Sequence, residues 1–308
     1  MVNITVIGSF VVGITVRVPR PPVLGEGLIG DLFDMGPGGK GTNQAIAASR
    51  LGAKVHLVAC IGDDLFAGIA TDLYKREGVS LRDIHSIAGI NTAVGFVTLF
   101  PSGENWIVGH LGANMRMRVD HVEAAEDMIA QSDIVLTQLE VPVDAVSRAM
   151  ELGHKHGAMT IWNPAPAQPV LPDLLAYVDL ITPNETECRI LLGLPPDDQT
   201  PTHELAQRIL ELGAERAVVT IGERGALVVT PDRFEQIPAP KIEPLDPTGA
   251  GDAFNAALAV GLGEGLGLRD AAERANYAGA YCCKELGVVD GLPTRAELDA
   301  FIRSVGGG

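Results

Sequence analysis

The sequence predicts an α/β fold, a mostly parallel central sheet with helices on both faces, to which a smaller β-sheet is attached. Three observations lead there. From residue 119 onward, short apolar runs alternate with longer helical patterns, the order that builds a parallel sheet covered on both sides. Residues 11–18, 28–33, 92–100 and 105–110 instead have the texture of paired strands, the last two joined as a hairpin. The chain has 308 residues, 46% hydrophobic and 20% charged. That is a globular composition, and at roughly 100–200 residues per domain it suits one large domain with a small attachment.

In chain order, residues 2–8 are an apolar run ending at Gly8, which reads as a buried first strand. Residues 11–18 alternate loosely until Pro19, Pro21 and Pro22 stop them. Residues 42–51 are rich in alanine and end at Gly52, a helix with a glycine stop. Residues 54–60 read as a strand. Residues 63–76 read as a helix with acids in its first turn and Lys75 and Arg76 in its last, the arrangement the helix dipole favours. The hairpin follows, with residues 101–104 as its turn. Beyond it, strands are expected at 134–138, 158–162, 178–182, 217–221 and 226–230, and helices at 143–156, 249–262, 268–285 and 294–302. Ligands of such sheets bind outside the carboxyl ends of the strands, so the informative loops are those that follow strands.

Composition excludes several roles. A net charge of −16 disfavours nucleic acid, whose affinity rests on basic patches. No run of 18 apolar residues is present, so no membrane span is expected. The start, Met1-Val-Asn-Ile-Thr5, lacks a basic region and a cleavage site, so no secretory signal is expected. The four cysteines, Cys60, Cys188, Cys282 and Cys283, form no CxxC pair. They read as reduced thiols of a cytoplasmic protein, with no structural zinc site.

Three loops carry chemistry. Asp246-Pro-Thr-Gly-Ala-Gly-Asp252 opens an alanine-rich helix. Small residues at Gly249, Ala250 and Gly251 let backbone N–H groups approach a ligand, and the helix N-terminus adds partial positive charge, a natural anion hole. Beside it, the Asp252 carboxylate is placed to accept a proton from an attacking hydroxyl; the same residues also suit a helix cap and a tight turn. Gly36-Pro-Gly-Gly-Lys-Gly-Thr-Asn43 opens the earlier helix. It fits GxGxxG superficially, but no convincing strand precedes it. It is not a Walker A loop either, because Gly41 follows Lys40. It aims one cation, Lys40, and one amide, Asn43, at a polar ligand, and also reads as a glycine-rich turn with a solvated lysine. Pro183-Asn-Glu-Thr-Glu187 follows the 178–182 strand. Asn184 and Glu187, three apart at a helix start, suit Mg²⁺ held through water, or a simple helix cap.

Together these loops resemble the ribokinase/PfkB family of carbohydrate kinases. The resemblance runs in order from Ile4 to about residue 302. Gly38-Gly-Lys-Gly-Thr-Asn-Gln-Ala45, followed by Gly52 and Gly62, matches the family's N-terminal signature. Residues 246–258 match its C-terminal one. Gln138-Leu-Glu140, Asn163-Pro-Ala-Pro166, residues 182–187 and Thr220-Ile-Gly-Glu-Arg-Gly225 also resemble family segments. The resemblance implies a ribokinase-like three-layer sandwich: a large nucleotide-binding domain of residues 1–10, 36–89 and 113–303, a β-sheet lid of residues 11–35 and 90–112, and a flexible tail at 304–308. Lids of this kind close over substrate, and in many relatives the lids of two subunits pair, which implies a homodimer.

The activity implied is transfer of the γ-phosphate of ATP to a primary hydroxyl of a sugar, with Asp252 as general base and Gly249, Ala250 and Gly251 stabilising the transferring group. Gly39, Lys40, Asn43 and Glu140 would hold the sugar. Asn184 and Glu187 would position phosphate and Mg²⁺. Thr220, Gly222 and Gly225 would line the nucleotide site, with Asn276 near the adenine. A monovalent cation, K⁺, would lie behind the anion hole on Asp246, Thr248, Cys282, Glu285, Gly287 and Gly291. One departure stands out. The family's first strand usually ends in a Gly-Ser-x-Asn-x-Asp stretch whose Asp binds two sugar hydroxyls; here Val11 and Gly13 take the Asn and Asp positions. The acceptor class is therefore open between a sugar and a nucleoside, and a non-catalytic sugar or nucleotide sensor is the alternative outside catalysis. A dinucleotide oxidoreductase would need a strand before the GxGxxG. Among isolated residues, Trp162 reads as a core aromatic, His154 and His156 as surface groups at a helix end, and His110 as a lid residue.

Overall fold

The computed structural model describes residues 1–101, 105–169 and 172–305. Thirteen strands form two sheets: β1 (Asn3–Ile7), β2 (Val11–Arg17), β3 (Leu32–Gly38), β4 (Lys54–Ile61), β5 (Ile84–Ser86), β6 (Ala93–Leu99), β7 (Asn105–His110), β8 (Ile134–Thr137), β9 (Met159–Trp162), β10 (Leu180–Ile181), β11 (Ala217–Thr220), β12 (Ala226–Thr230) and β13 (Arg233–Ile237). Nine of them make the central sheet, in the order β13-β12-β11-β10-β9-β8-β1-β4-β5. It is parallel from β11 to β5, and β12 and β13 continue it antiparallel.

The strands read as continuous apolar runs because both faces are covered. Along β4, Leu57, Ala59 and Ile61 point into one core and Val58 and Cys60 into the other. Ile134 and Leu136 of β8 likewise oppose Val135. The first core is closed by the helices Lys40–Arg50, Ala250–Gly263 and Leu268–Cys282, and the second by Val143–His156 and Thr202–Glu211. Alanines fill the first: Ala45, Ala47 and Ala48 of one helix and Ala256, Ala257 and Ala259 of another are fully or almost fully buried. Small side chains let these helices sit close to the sheet and to each other, which brings the two loops that open them together.

The second sheet has the order β3-β2-β6-β7. β2 pairs parallel to β6, and the outer pairings are antiparallel. Register places Gly36, Gly13, Gly95 and Gly109 opposite one another, a row of glycines crossing all four strands. Val12, Ile14 and Val94 pack toward the first core, whereas Phe33, Phe96, Trp106, Ile107 and Val108 are exposed.

Some elements differ from expectation. The strand expected at 28–33 lies at β3 and runs into the glycine-rich loop. Its glycines and Pro37 read as a turn, but β3 is an edge strand, where a proline costs no ladder hydrogen bond. That loop therefore does follow a strand, although one of the small sheet. The helix expected from residue 63 starts at Ala67, because the Asp64 carboxylate caps it and also serves Thr92. It accepts from Phe66 N, Ala67 N, Thr92 N and Thr92 Oγ1 at 2.7–3.2 Å. The helix expected over 268–285 ends at Cys282. Strands β5 and β13 had no expectation. Residues 304 and 305 continue the last helix, Arg295–Val305, rather than fraying as a tail. Residues 102–104 of the hairpin turn and 306–308 lie outside the described residues. Among the described residues no helix is long and apolar enough to cross a membrane.

Candidate active site

The residues singled out from the sequence gather at the carboxyl ends of neighbouring strands. Ser9 follows β1, Gln138 and Glu140 follow β8, Asn163 follows β9, Thr182 and Asn184 follow β10, and Thr220 ends β11. The amino ends of the helices Lys40–Arg50 and Ala250–Gly263 close over this edge. The first gets there because two glycines touch: a Cβ on Gly41 would stand 2.4 Å from Ser9 N and 2.5 Å from Gly8 Cα. Thr42 N and Oγ1 then donate to the Ser9 carbonyl at 2.9 and 2.7 Å, tying the helix to the end of β1.

Asp252 lies in the first turn of the helix Ala250–Gly263 and is 6% exposed. Both carboxylate oxygens are held by side-chain amides of the other helix. Asn43 Nδ2 donates to Oδ2 at 2.8 Å and Gln44 Nε2 to Oδ1 at 3.0 Å. Asn43 Oδ1 stays buried without a partner, an acceptor available to a ligand hydroxyl. The turn before the helix is set by Asp246 Oδ1, which accepts from Thr248 N at 2.9 Å, and by Gly249 in the left-handed region at φ 85°. Ala250 N–H turns back to the Pro247 carbonyl at 3.2 Å. The N–H groups that follow belong to the unpaired set at a helix start, a position that favours an anion.

Charge at this edge is dense. Lys40 is half-buried. Burial alone would lower its pKa, but Asp252, Glu140 and Glu187 around it outweigh that and raise it, so the ammonium stays protonated. Glu140 is pinned by Ser9 Oγ at 2.5 Å and by Lys40 N at 2.8 Å. Burial raises the Glu187 pKa and Asp252 adds to this, against the Asn184 N–H and Lys40. Asn184 and Glu187 form a capping box, each side chain accepting from the other's N–H at 2.8 Å. One oxygen of the desolvated Glu187 carboxylate remains for a metal-bound water, so the pair fits Mg²⁺ as well as a cap.

Thr220 N donates to the Pro183 carbonyl at 3.0 Å, and the loop after it is closed by Ile221 N to the Gly225 carbonyl and Gly225 N to the Gly222 carbonyl. Asn276 spends its Nδ2 on the Ile237 and Pro238 carbonyls at 3.0 and 3.4 Å, joining a helix to the end of β13. Gly13 stands in β2, where an added Cβ would meet nothing nearer than Gly36 O at 3.7 Å. The two segments expected to hold a monovalent cation do come together. Leu245 N and Asp246 N donate to the Cys283 carbonyl at 2.7 and 3.1 Å, and a Cβ on Gly249 would run into Val288 at 2.4 Å. Carboxylate and carbonyl oxygens are the donor set an alkali cation takes. Burial pushes the neighbouring Cys282 thiol up to about 12, so it is neutral. Arg50 fixes this region from the far end of its helix. It donates to the Val289 and Leu292 carbonyls at 2.7 and 2.8 Å and grips Glu77 with two bonds at 2.8 and 2.9 Å.

Sequence reading missed how the polar residues connect. Gln44, Thr182 and Asn255 were seen only as parts of motifs, yet all are buried and bonded around Asp252; a buried-polar residue inside an alanine-rich helix was the available signal. Trp162 is in the second core. His154 lies edge-on to Tyr177, and His156 bonds Glu126 at 2.8 Å. His110 is exposed on β7. All four cysteines are free thiols.

Comparison with known proteins agrees with this arrangement. The family model of pfkB family carbohydrate kinases matches residues 1–295. A ribokinase of Haemophilus influenzae is 35% identical over 300 residues, 97% of this chain and 98% of its own length. A deoxyribokinase of Salmonella typhi is 34% identical over 255 residues, 82% and 83% of the two chains. The solved structure of Arabidopsis thaliana ribokinase complexed with ribose and ATP superposes with a TM-score of 0.89 at 27% identity, covering 98% of this chain and 99% of that one. With both signatures in place and the match spanning nearly its full length, the chain belongs to the pfkB family of carbohydrate kinases.

Proposed function

We propose that this kinase moves the γ-phosphate of ATP to a primary hydroxyl of a pentose or a closely related sugar, with Asp252 as general base. The observation that carries the reading is the buried Asp252 carboxylate, held on both oxygens by Asn43 and Gln44 beside the open N-terminus of its own helix. The hydroxyl proton passes to Asp252 as the oxygen bonds to the γ-phosphorus, and the bond from that phosphorus to the ADP oxygen breaks. Gly249, Ala250 and Gly251 form the turn in front of the transferring group, the N–H groups after Ala250 stabilise its charge, and Lys40 adds a fixed cation. Gly39, Lys40, Asn43 and Glu140 hold the acceptor; Thr220, Gly222, Gly225 and Asn276 border the nucleotide.

Mg²⁺ would be held through Asn184 and Glu187 and would neutralise phosphate charge. K⁺ would be held by Asp246 with the carbonyls of Thr248, Cys282, Glu285, Gly287 and Gly291, and would fix the loop in front of it. We assign residues 11–35 and 90–112 to the lid and the remainder to the large domain. The exposed apolar face of Phe33, Phe96 and Trp106 supports pairing of two lids in a homodimer. Free thiols, three of them buried, support a cytoplasmic location. A nucleoside acceptor is the second reading, favoured by Gly13, where no side chain occupies the place of the family's sugar-binding Asp. ADP release from ATP and Mg²⁺, with and without K⁺, over pentoses, hexoses, sugar acids and nucleosides tests both. Turnover lost in Asp252→Asn supports the reading; ATP binding without turnover of any compound supports the sensor instead.

A further inference from the structure

Gln44 is completely buried, and its bonding leaves its amide one orientation. The Thr182 carbonyl can only accept, and Asn163 Nδ2 donates to it at 2.9 Å, which turns Asn163 Oδ1 toward Gln44. Gln44 Nε2 therefore donates, to Asn163 Oδ1 and to Asp252 Oδ1, each at 3.0 Å. Gln44 Oε1 accepts from Gln138 Nε2 at 2.6 Å. The circuit returns to the base by another path: Thr182 Oγ1 donates to Asn255 Oδ1 at 2.5 Å, and Asn255 Nδ2 to the carbonyl of Gly251 at 2.8 Å. Gly251 immediately precedes Asp252.

We infer that Gln44 is a positioning residue for phosphoryl transfer: it fixes the rotation of the Asp252 carboxylate and gives that carboxylate only donors on its buried side. The inference rests on the reading of Asp252 as the base. An amide N–H donor neither gives up its proton at neutral pH nor accepts one. With Asn43 on one oxygen and Gln44 on the other, the proton that Asp252 takes comes from the acceptor side. The ring closing through Asn163, Thr182, Asn255 and Gly251 ties the carboxylate's rotation to the helix N-terminus that faces the phosphate, so the base and the anion hole hold one relative geometry. A misplacement of about 1 Å there costs on the order of 100-fold in rate.

The test compares Gln44→Glu, Gln44→Leu and Gln138→Met in the full-length enzyme, each below its own melting temperature. Gln44→Glu puts a second carboxyl against Asp252, and the two share one proton. The other charged groups around the base, Lys40, Glu140 and Glu187, are unchanged. The acid limb of the kcat profile should move up by at least about one pH unit. Gln44→Leu should lower kcat by about 10–100-fold with KM for ATP and acceptor nearly unchanged. Gln138→Met, which removes the donor to Gln44 Oε1 and leaves Asn163 as the remaining group that orients the Gln44 amide, should give a smaller kcat loss of the same kind and serves if the Gln44 variants do not fold. A wild-type pH profile in Gln44→Glu, or losses that track the folded fraction alone, overturns the inference; if the Gln44 variants do not fold, wild-type kcat in Gln138→Met does so. Asp252→Asn separates the two levels. If it retains turnover, the reading of the base has failed; if it is inactive while the Gln44 and Gln138 variants behave as wild type, only the role of Gln44 has.

Discussion

Replacing Arg50 with alanine should destabilise the enzyme by several degrees, and the loss should depend on pH. The Arg50 and Glu77 side chains are 19% and 11% exposed, so the pair is largely out of water. Arg50→Ala removes two bonds to Glu77 and two to the carbonyls of Val289 and Leu292 and leaves the carboxylate with only the long contact to Arg76 Nε at 3.4 Å. Breaking a buried pair this way costs about 3–5 kcal/mol. Unfolding entropy of about 2.1 cal/mol/K per residue, over 308 residues, gives about 0.65 kcal/mol/K, so Tm should fall by about 5–8 °C. Hydrogen bonding from Arg50 is the main cause that lowers the Glu77 pKa in the folded state. A carboxyl with a lowered folded pKa stabilises fully above its unfolded pKa of about 4.3 and loses that contribution as pH falls through the folded value. The difference between wild type and variant should therefore be complete at pH 7 and shrink in acid. Thermal melts at pH 7 and at successively lower pH, down past the lowered folded pKa of Glu77, measure it, and Arg50→Ala/Glu77→Ala should melt above Arg50→Ala alone. A shift under about 1 °C at pH 7, or an undiminished shift below the folded pKa of Glu77, refutes the reasoning.

Other outcomes are equally specific. Gly249→Ala should cost about 1–3 kcal/mol from its positive φ, with turnover reduced as well because Val288 must move; urea unfolding with a coupled ADP assay reads both. Gly13→Asp should fold normally, since its Cβ meets only ordinary contact, and should raise kcat/KM for ribose relative to other acceptors, checked by competition between sugars. Glu187→Gln should raise Tm at pH 7 while lowering kcat. Its carboxyl has a raised folded pKa, so its charged form costs stability above that pKa, and the gain should vanish below the unfolded value of about 4.3.

Most of the fold was readable from period and punctuation. Alternation of β runs with helices gave the parallel sheet, and Gly52 and the alanine runs located helices that bound the first core. What failed did so for local reasons. β3 carries Gly36, Pro37 and Gly38, turn residues that an edge strand tolerates. Asp64 looked like a first-turn acid but serves Thr92 across the chain, a partner 28 residues away that no spacing rule reveals. At the site, residue types in loops exposed Asp252, Lys40, Asn43, Asn184 and Glu187, because glycine, carboxylate and helix start lie close in sequence there. The circuit through Gln44, Asn163, Thr182 and Asn255 was not readable as a circuit, since its members come from four separate segments; only Gln44 and Asn255 stood out, as polar residues inside alanine-rich helices.

The row of Gly36, Gly13, Gly95 and Gly109 has a mechanical meaning. Interlocked side chains across neighbouring strands stiffen a sheet, and along this line there are none on any of the four strands. Bending stress applied to the small sheet concentrates there as on a scored card. The row lies between Val12 and Val94, which pack toward the first core, and Phe96, Trp106 and Val108, which are exposed.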